Sequence, residues 1–210
     1  KCGNSLIGSD FYATQQMGMF DEEVVEKINA FDWHSEFSEV FTGNDPGFDA
    51  VIGNPPYIFT RELLTEDELN YFASKYKMSW EKKNTYMLFM ELLFSLLNPN
   101  GMGGYIVPNS WLTVESAKLL RKAFIPRLNL IADLNYMVFK KVSMEPTIFL
   151  ASGREQKKNS EVAAFRCASK EGFFVAVPSP VDRTRWLDSG RISFSSSNEA
   201  VNVVDKIVES

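Results

Sequence analysis

Asn54-Pro55-Pro56-Tyr57 follows directly on the apolar run Phe48-Asp49-Ala50-Val51-Ile52-Gly53. Two consecutive prolines fix φ and remove two N–H donors, so the neighbouring peptide carbonyls stay free and rigidly held. Asn54 adds a side-chain carbonyl acceptor. Together these make a pre-set pair of acceptors suited to a planar –NH2 donor, and Tyr57 offers a flat face on which a planar group can stack. An exocyclic amine on an aromatic base such as adenine is a poor nucleophile, because its lone pair is delocalised into the ring. Two aimed acceptors push that nitrogen toward a tetrahedral, more nucleophilic form. With an activated methyl group opposite, in-line transfer can follow, helped by positioning and by stabilisation of the developing positive charge. Such a step needs no metal and no strong general base. The plainer alternative is a strand-terminating turn with Tyr57 as a partly buried aromatic. The position at the end of a strand expected to be buried favours the site.

The rest of the chain must hold that stretch in place. Phe48 to Gly53 is the strongest strand in the sequence. Upstream, Gly3 to Gly8 carries a weak strand signal, and Val24, Val25 and Ile28 share one face of a short helix. Phe31, Trp33, Phe37 and Phe41 alternate with acids in a packed, irregular loop. Downstream, Thr65 and Glu68 form a capping box that opens a helix through about Tyr76. Residues 85–97 are apolar nearly all round, which predicts a buried helix, and Asn98-Pro99-Asn100-Gly101 predicts a turn. Strands are expected over 102–108, 129–134, 147–152 and 162–168, with an amphipathic helix stopping before Pro126. The Pro- and Ser-rich stretch from Val177 to Asn198 reads as a linker or peripheral extension. It precedes a terminal helix carrying Val201, Val204, Ile207 and Val208. Strands alternating with helices imply an α/β fold with a largely parallel sheet, whose ligand site lies beyond the carboxyl ends of the strands. Asn54 sits at such an end.

Composition narrows the function classes. With 210 residues, 45% of them hydrophobic, the chain can bury a core. A net charge of −5 does not fit a stand-alone basic nucleic-acid module, so nucleic-acid contact must come from local patches or a partner segment. Cys2 and Cys167 are far apart with no ligand spacing, which fits free thiols in a reducing cytoplasm. His34 is the only histidine, so a histidine-based triad or metal site would rest on it alone. No apolar run is long enough to cross a membrane.

The stretch Asp49 to Ile58 resembles motif IV of the S-adenosylmethionine-dependent amino-methyltransferases, in the form found in adenine-specific DNA methyltransferases of restriction–modification systems. Gly3 to Phe11 resembles motif III, Asn84 to Leu112 motifs V and VI, and Met137 to Leu150 motif VIII. Phe31 to Phe37 looks like the segment that precedes motif IV in the large restriction–modification type. The resemblance implies a partial Rossmann-like methyltransferase fold: a mixed, mostly parallel sheet with flanking helices and its first strands missing. It implies S-adenosylmethionine as cofactor and double-stranded DNA as partner, with the target adenine flipped out of the helix, because its amino group is buried in the duplex. The implied residue roles are Asn54, Pro55, Pro56 and Tyr57 for catalysis, and Tyr57 with Phe139 for stacking on the base. Asp10, Phe11, Asn54 and Phe89 would contact the cofactor, with Tyr86 near Phe89. Lys82, Lys83, Lys140 and Lys141 are candidate DNA contacts, and Trp80 interrupts the first basic loop.

The departures from the family pattern are as informative. No glycine-rich motif I precedes motif III, and no target-recognition domain follows. Residues 1–153 are therefore expected to be the later part of a catalytic domain, and 154–210 a β extension, linker and helix leading toward a recognition domain. Gly3 to Gly8 is then expected to be displaced from its family position, and the isolated chain to bind cofactor weakly and show little activity. Protein-glutamine and RNA-guanine amino-methyltransferases use the same tetrapeptide and remain alternatives, as does a non-catalytic nucleic-acid-binding fragment.

Overall fold

Six strands form one sheet in the order β1-β2-β4-β3-β5-β6 in the computed structural model, which describes residues 2–14, 22–58, 64–79, 84–139 and 144–194. The strands are β1 (Phe48–Gly53), β2 (Leu97–Pro108), β3 (Leu128–Leu134), β4 (Pro146–Ser152), β5 (Glu161–Cys167) and β6 (Ser179–Asp182). β1 runs parallel to β2 and β3 parallel to β5, whereas β4 is antiparallel to both of its neighbours, β2 and β3. β6 is antiparallel to β5. Four strands thus share one direction, in a mixed sheet of the kind the sequence predicts.

One face of the sheet is covered by α6 (Thr85–Leu96), α7 (Lys118–Phe124) and α9 (Arg183–Ser189). Their apolar side chains meet Val107, Ile131, Phe149 and Ala164 in the main core, with Trp111 and Trp186 fully enclosed. α6 lies very close to β2: a Cβ on Gly103 would sit 2.6 Å from the Leu93 side chain, so only glycine permits this approach. The opposite face of α6 carries Leu88, Leu92 and Leu96. They pack against α5 (Glu66–Lys75), Tyr76 and the amino-terminal residues Leu6, Ile7 and Phe11 in a second core. The other face of the sheet is covered over β3 and β5 by Phe173 of α8 (Lys170–Val175) and by Ala176.

Local chemistry explains these elements. The expected capping box is present: Thr65 Oγ1 accepts from the Glu68 N–H at 3.3 Å, and Glu68 Oε2 accepts from the Thr65 N–H at 2.8 Å. Before β1, α1 spans Asp10–Thr14 and α2, the short helix in the acidic stretch, spans Glu22–Ile28, and the aromatic loop contains two single-turn helices, α3 (Trp33–Glu36) and α4 (Ser38–Phe41). Asp32 caps the first of these at the Ser35 N–H. That hydrogen bond, with one from Ser9, holds the Asp32 carboxyl below the usual carboxylate range.

Four sequence readings are corrected. β1 is not buried: it is the edge strand, and Ile52 is 94% exposed, with no described element covering its side of the sheet. The turn expected at 98–101 is a bulge within β2. Phe48 pairs with Leu97 but Ala50 with Met102, so β2 inserts extra residues there. Asn98 fills that bulge, donating to Asp49 Oδ1 at 2.7 Å and accepting from the Asn100 N–H. The stretch read as a linker folds back as β6 and α9, with Trp186 and Arg183 each 1% exposed. Its prolines suit an edge strand, where a missing N–H costs nothing. Finally, the weak strand signal of Gly3 to Gly8 gives no strand of the sheet, in keeping with the displacement expected of that segment, and Asn4 makes an isolated bridge to Ala30. The expected terminal helix lies outside the described residues. Among the described residues, no helix is long and apolar enough to cross a membrane.

Candidate active site

The parallel register of β1 on β2 brings Gly53 level with Tyr105, and the chain then leaves the sheet at Asn54. Pro55 is buried, whereas Asn54 and Pro56 are exposed. The Tyr57 hydroxyl turns back toward the sheet and shares its proton between Asn54 Oδ1 (3.1 Å) and the Ile106 carbonyl (3.0 Å). Its ring is half-buried and meets Tyr86 edge-on, at 6.2 Å between centroids. Burial raises the Tyr57 phenol above its ordinary pKa, so it remains a donor at neutral pH. Burial likewise pushes Tyr86 up to about 12, and its hydroxyl pairs with Ser110 Oγ at 3.1 Å.

α6 begins directly beneath this loop. Asn84 caps the helix through the Tyr86 N–H, and Thr85 is its first residue. Thr85 Oγ1 donates to the Pro56 carbonyl at 2.5 Å and accepts from the Ile58 N–H at 3.1 Å. The Thr85 N–H, one of the helix donors with no partner inside the helix, donates to the Ile58 carbonyl at 3.0 Å. The Pro56 carbonyl is thereby occupied. The Pro55 carbonyl has no hydrogen-bond partner among the described residues. Sequence reasoning missed Thr85 and Ile106. A threonine opening an otherwise apolar helix was the available signal for the first. The second acts through its backbone and left no signal.

The other expected site residues separate into groups. Phe89 lies one turn along α6 from Thr85, half-buried against both cores. Phe139 is half-buried at the end of the described part of the β3–β4 connection. Asp10 is not brought to Asn54. It lines a cleft of about 310 Å³ with Lys75, Trp33, Ser95 and Leu96, at the far end of α6. At 1.5 Å rise per residue, that is roughly 15 Å along the helix from Thr85. There Asp10 pairs with Lys75 at 3.2 Å and accepts from the Tyr71 hydroxyl at 2.6 Å. Phe11 is 1% exposed, its ring edge-on to Tyr12 and Tyr71. Lys82, Lys83, Lys140, Lys141 and Trp80 lie outside the described residues.

A polar cluster braces the neighbouring strand ends. Asp133 of β3 is buried and accepts from Arg166 Nε at 3.0 Å and from Asn109 Nδ2 at 3.3 Å. Asn109 follows β2 and also donates its backbone N–H to the Glu145 carbonyl just before β4. The ends of β2, β3 and β5 and the start of β4 are therefore tied together.

The family model described as Eco57I restriction-modification methylase matches residues 3–139. The type II restriction enzyme and methyltransferase RM.Eco57I of Escherichia coli is 29% identical over 97% of this chain, which spans 20% of that protein. The adenine-specific methyltransferase BrxX of Escherichia coli O9:H4 is 31% identical over 47% of this chain and 8% of its own length. Among solved structures, the type IIG restriction endonuclease BpuSI superposes with a TM-score of 0.53 at 16% identity, over 69% of this chain and 20% of that one. The type I restriction-modification methyltransferase subunit from Streptococcus thermophilus gives 0.53 at 14% identity, over 80% of this chain and 42% of that one. At these identities the structural likeness concerns the fold alone. The chain spans about a fifth of the length of the first of these relatives.

Proposed function

This chain belongs to the Eco57I restriction-modification methylase family, and from that premise we propose that it forms the amine-acceptor part of a DNA methyltransferase acting on the N6 amine of adenine. The observation that carries the reading is the acceptor pair at the end of β1. Asn54 Oδ1 keeps one lone pair beyond its bond from Tyr57, and the Pro55 carbonyl has no partner among the described residues.

In this reading the two N–H groups of the target amine donate to Asn54 Oδ1 and to the Pro55 carbonyl. That draws the nitrogen lone pair out of conjugation with the ring. The nitrogen would bond to the methyl carbon as that carbon's bond to the sulfonium sulfur of its donor breaks, the sulfur keeping the electron pair, and one proton would go to solvent, so a secondary amine remains and charge balances. Tyr57 stacks on one face of the base, and Phe139 is proposed for the other. Reaching such a pocket requires the adenine to leave the duplex. Lys140, Lys141, Lys82 and Lys83 are proposed phosphate contacts.

S-adenosylmethionine, which family membership implies, would supply the electrophilic methyl group when bound. The described residues fit only part of that cofactor's needs. Asn54 and Phe89 lie at the acceptor end of α6, whereas Asp10 and Phe11 lie near its other end. The remaining contacts are proposed to come from sequence that the longer relatives possess. β1 supports this, because its apolar pattern suits a strand with neighbours on both sides, yet Ile52 stands 94% exposed on an open edge.

The test is methyl transfer by the complete polypeptide with isotopically labelled S-adenosylmethionine, followed by nucleoside mass spectrometry. The expected product is N6-methyladenine in DNA, lost in N54A. Label on cytosine, on RNA or on a protein amide would overturn the reading.

A further inference from the structure

Thr85 makes three hydrogen bonds to the segment that carries Tyr57; the two made by its hydroxyl reach the peptide units on either side of that residue, and the third reaches the next peptide along. Its hydroxyl donates to the carbonyl of Pro56 (2.5 Å) and accepts from the N–H of Ile58 (3.1 Å), and its own N–H donates to the Ile58 carbonyl (3.0 Å). The peptide groups before and after Tyr57 are thus clamped by one side chain. That side chain stands on a rigid base: the next five residues of α6 include Tyr86, Met87, Leu88 and Met90, each 1% exposed or less. The Tyr57 ring is otherwise held by its edge-on contact with Tyr86 and its packing against the main core. Asn54 and Ile58 on either side are exposed, and its hydroxyl is held by only two acceptors.

We propose that Thr85 is a positioning residue for the amine-acceptor loop. It fixes the backbone on both sides of Tyr57 so that the ring and the Asn54 acceptor hold one geometry, and it occupies the Pro56 carbonyl so that the Pro55 carbonyl is left to receive the amine. It touches no reacting atom. The catalytic part of this inference rests on the function proposed above; the positioning part does not. The hydroxyl must donate and accept at once, which serine can do and valine cannot, although valine has nearly the shape of threonine.

The experiment reads Tyr57 directly. The chain is labelled with carbon-13 at the phenolic carbon of tyrosine, and the Tyr57 resonance is identified by its loss in Y57F. T85S is expected to keep the wild-type chemical shift and the elevated titration of Tyr57. T85V is expected to move both toward an exposed tyrosine while leaving Tyr105 unchanged, and T85A serves in the same way if T85V does not fold. A Tyr57 signal identical in wild type, T85V and T85A overturns the positioning role, because a residue that only stabilised the helix would lower the melting temperature without moving it. In the complete polypeptide, T85V is expected to lower kcat by about 10- to 100-fold with KM values within about threefold, and T85S to recover it. Wild-type kcat in T85V overturns the catalytic part. Absence of adenine methylation by the wild type is a failure of the proposed function, and the resonance still decides the positioning.

Discussion

The hydroxyl of Tyr57 lies 3.1 Å from Asn54 Oδ1, within the Asn54–Tyr57 tetrapeptide. The ring proposed to stack on a base and the oxygen proposed to receive its amine are therefore linked to each other before any ligand arrives. The same hydroxyl reaches the Ile106 carbonyl of β2, so the unit is referenced to the sheet as well as to itself.

The first prediction separates the ring of Tyr57 from its hydroxyl. Y57F keeps the stacking face but releases Asn54 and Ile106, and Y57A removes both. Y57F is expected to lower kcat of the complete polypeptide by about tenfold, the effect of a loosened but intact acceptor geometry, and Y57A by at least about 100-fold. Equal activity of Y57F and wild type would show that the link between Tyr57 and Asn54 has no part in positioning.

The second concerns alkaline stability. Burial pushes both Tyr86 and Tyr105 up to about 12. An unfolded tyrosine titrates near about 10. The folded state holds these protons more tightly, so their contribution to stability is full below about pH 10 and is lost as pH rises toward the folded values. Each group should contribute a slope of about 1.4 kcal/mol per pH unit in that window. Urea denaturation at about pH 8, about 9.5 and about 11 is expected to show a plateau and then a fall, and Y86F should reduce the fall. A midpoint unchanged to about pH 11 would contradict the burial of these phenols.

The tetrapeptide, the capping box of α5 and the core strands were legible because each rests on local chemistry. Proline rigidity, a threonine three residues before a glutamate, and runs of apolar residues act over a few positions. What was not legible depends on distant parts of the chain. Ile52 looks like a core residue in the sequence, and only the strand order reveals that β1 is an edge. Asp10 and Phe11 match a motif, yet Lys75, Tyr71 and Tyr12 hold them near the far end of α6 from Asn54. Pro178, Ser179 and Pro180 look like linker, but Arg183 and Trp186 a few residues later pull the segment into the core.

The third prediction follows from Arg183. Its guanidinium is buried and has no carboxylate partner among the described residues, donating through Nη1 to the Ile125 carbonyl, through Nη2 to the Leu128 carbonyl at 2.8 Å and through Nε to Ser160 Oγ at 3.2 Å. Burial lowers its pKa, although an arginine stays charged. R183M is expected to cost about 2–4 kcal/mol, because buried carbonyls lose their donors. R183K should not restore stability, since one ammonium cannot span the three acceptors. Urea midpoints measure both, and a stable R183K would show that charge rather than the fork of donors holds α9 in place.

The last prediction tests what sets the height of Asn54 above the sheet. The bulge at 98–101 shifts the pairing of β1 and β2, and the register beyond it brings Gly53 level with Tyr105 and the tetrapeptide to the end of β2. Gly153 closes against that bulge: its N–H donates to the Gly101 carbonyl at 2.9 Å, and a Cβ there would lie 2.0 Å from the Asn98 carbonyl oxygen. The clash is with backbone rather than with the end of a flexible side chain, so G153A must displace either the bulge or the chain after β4. It is expected to cost about 2–3 kcal/mol. Amide exchange should quicken first at the β1–β2 pairs beyond the bulge, from Ala50 to Gly53. An unchanged urea midpoint together with unchanged exchange at those residues would mean that the chain after Ser152 can retreat from Asn98 freely, and that the register of β1 is pinned elsewhere.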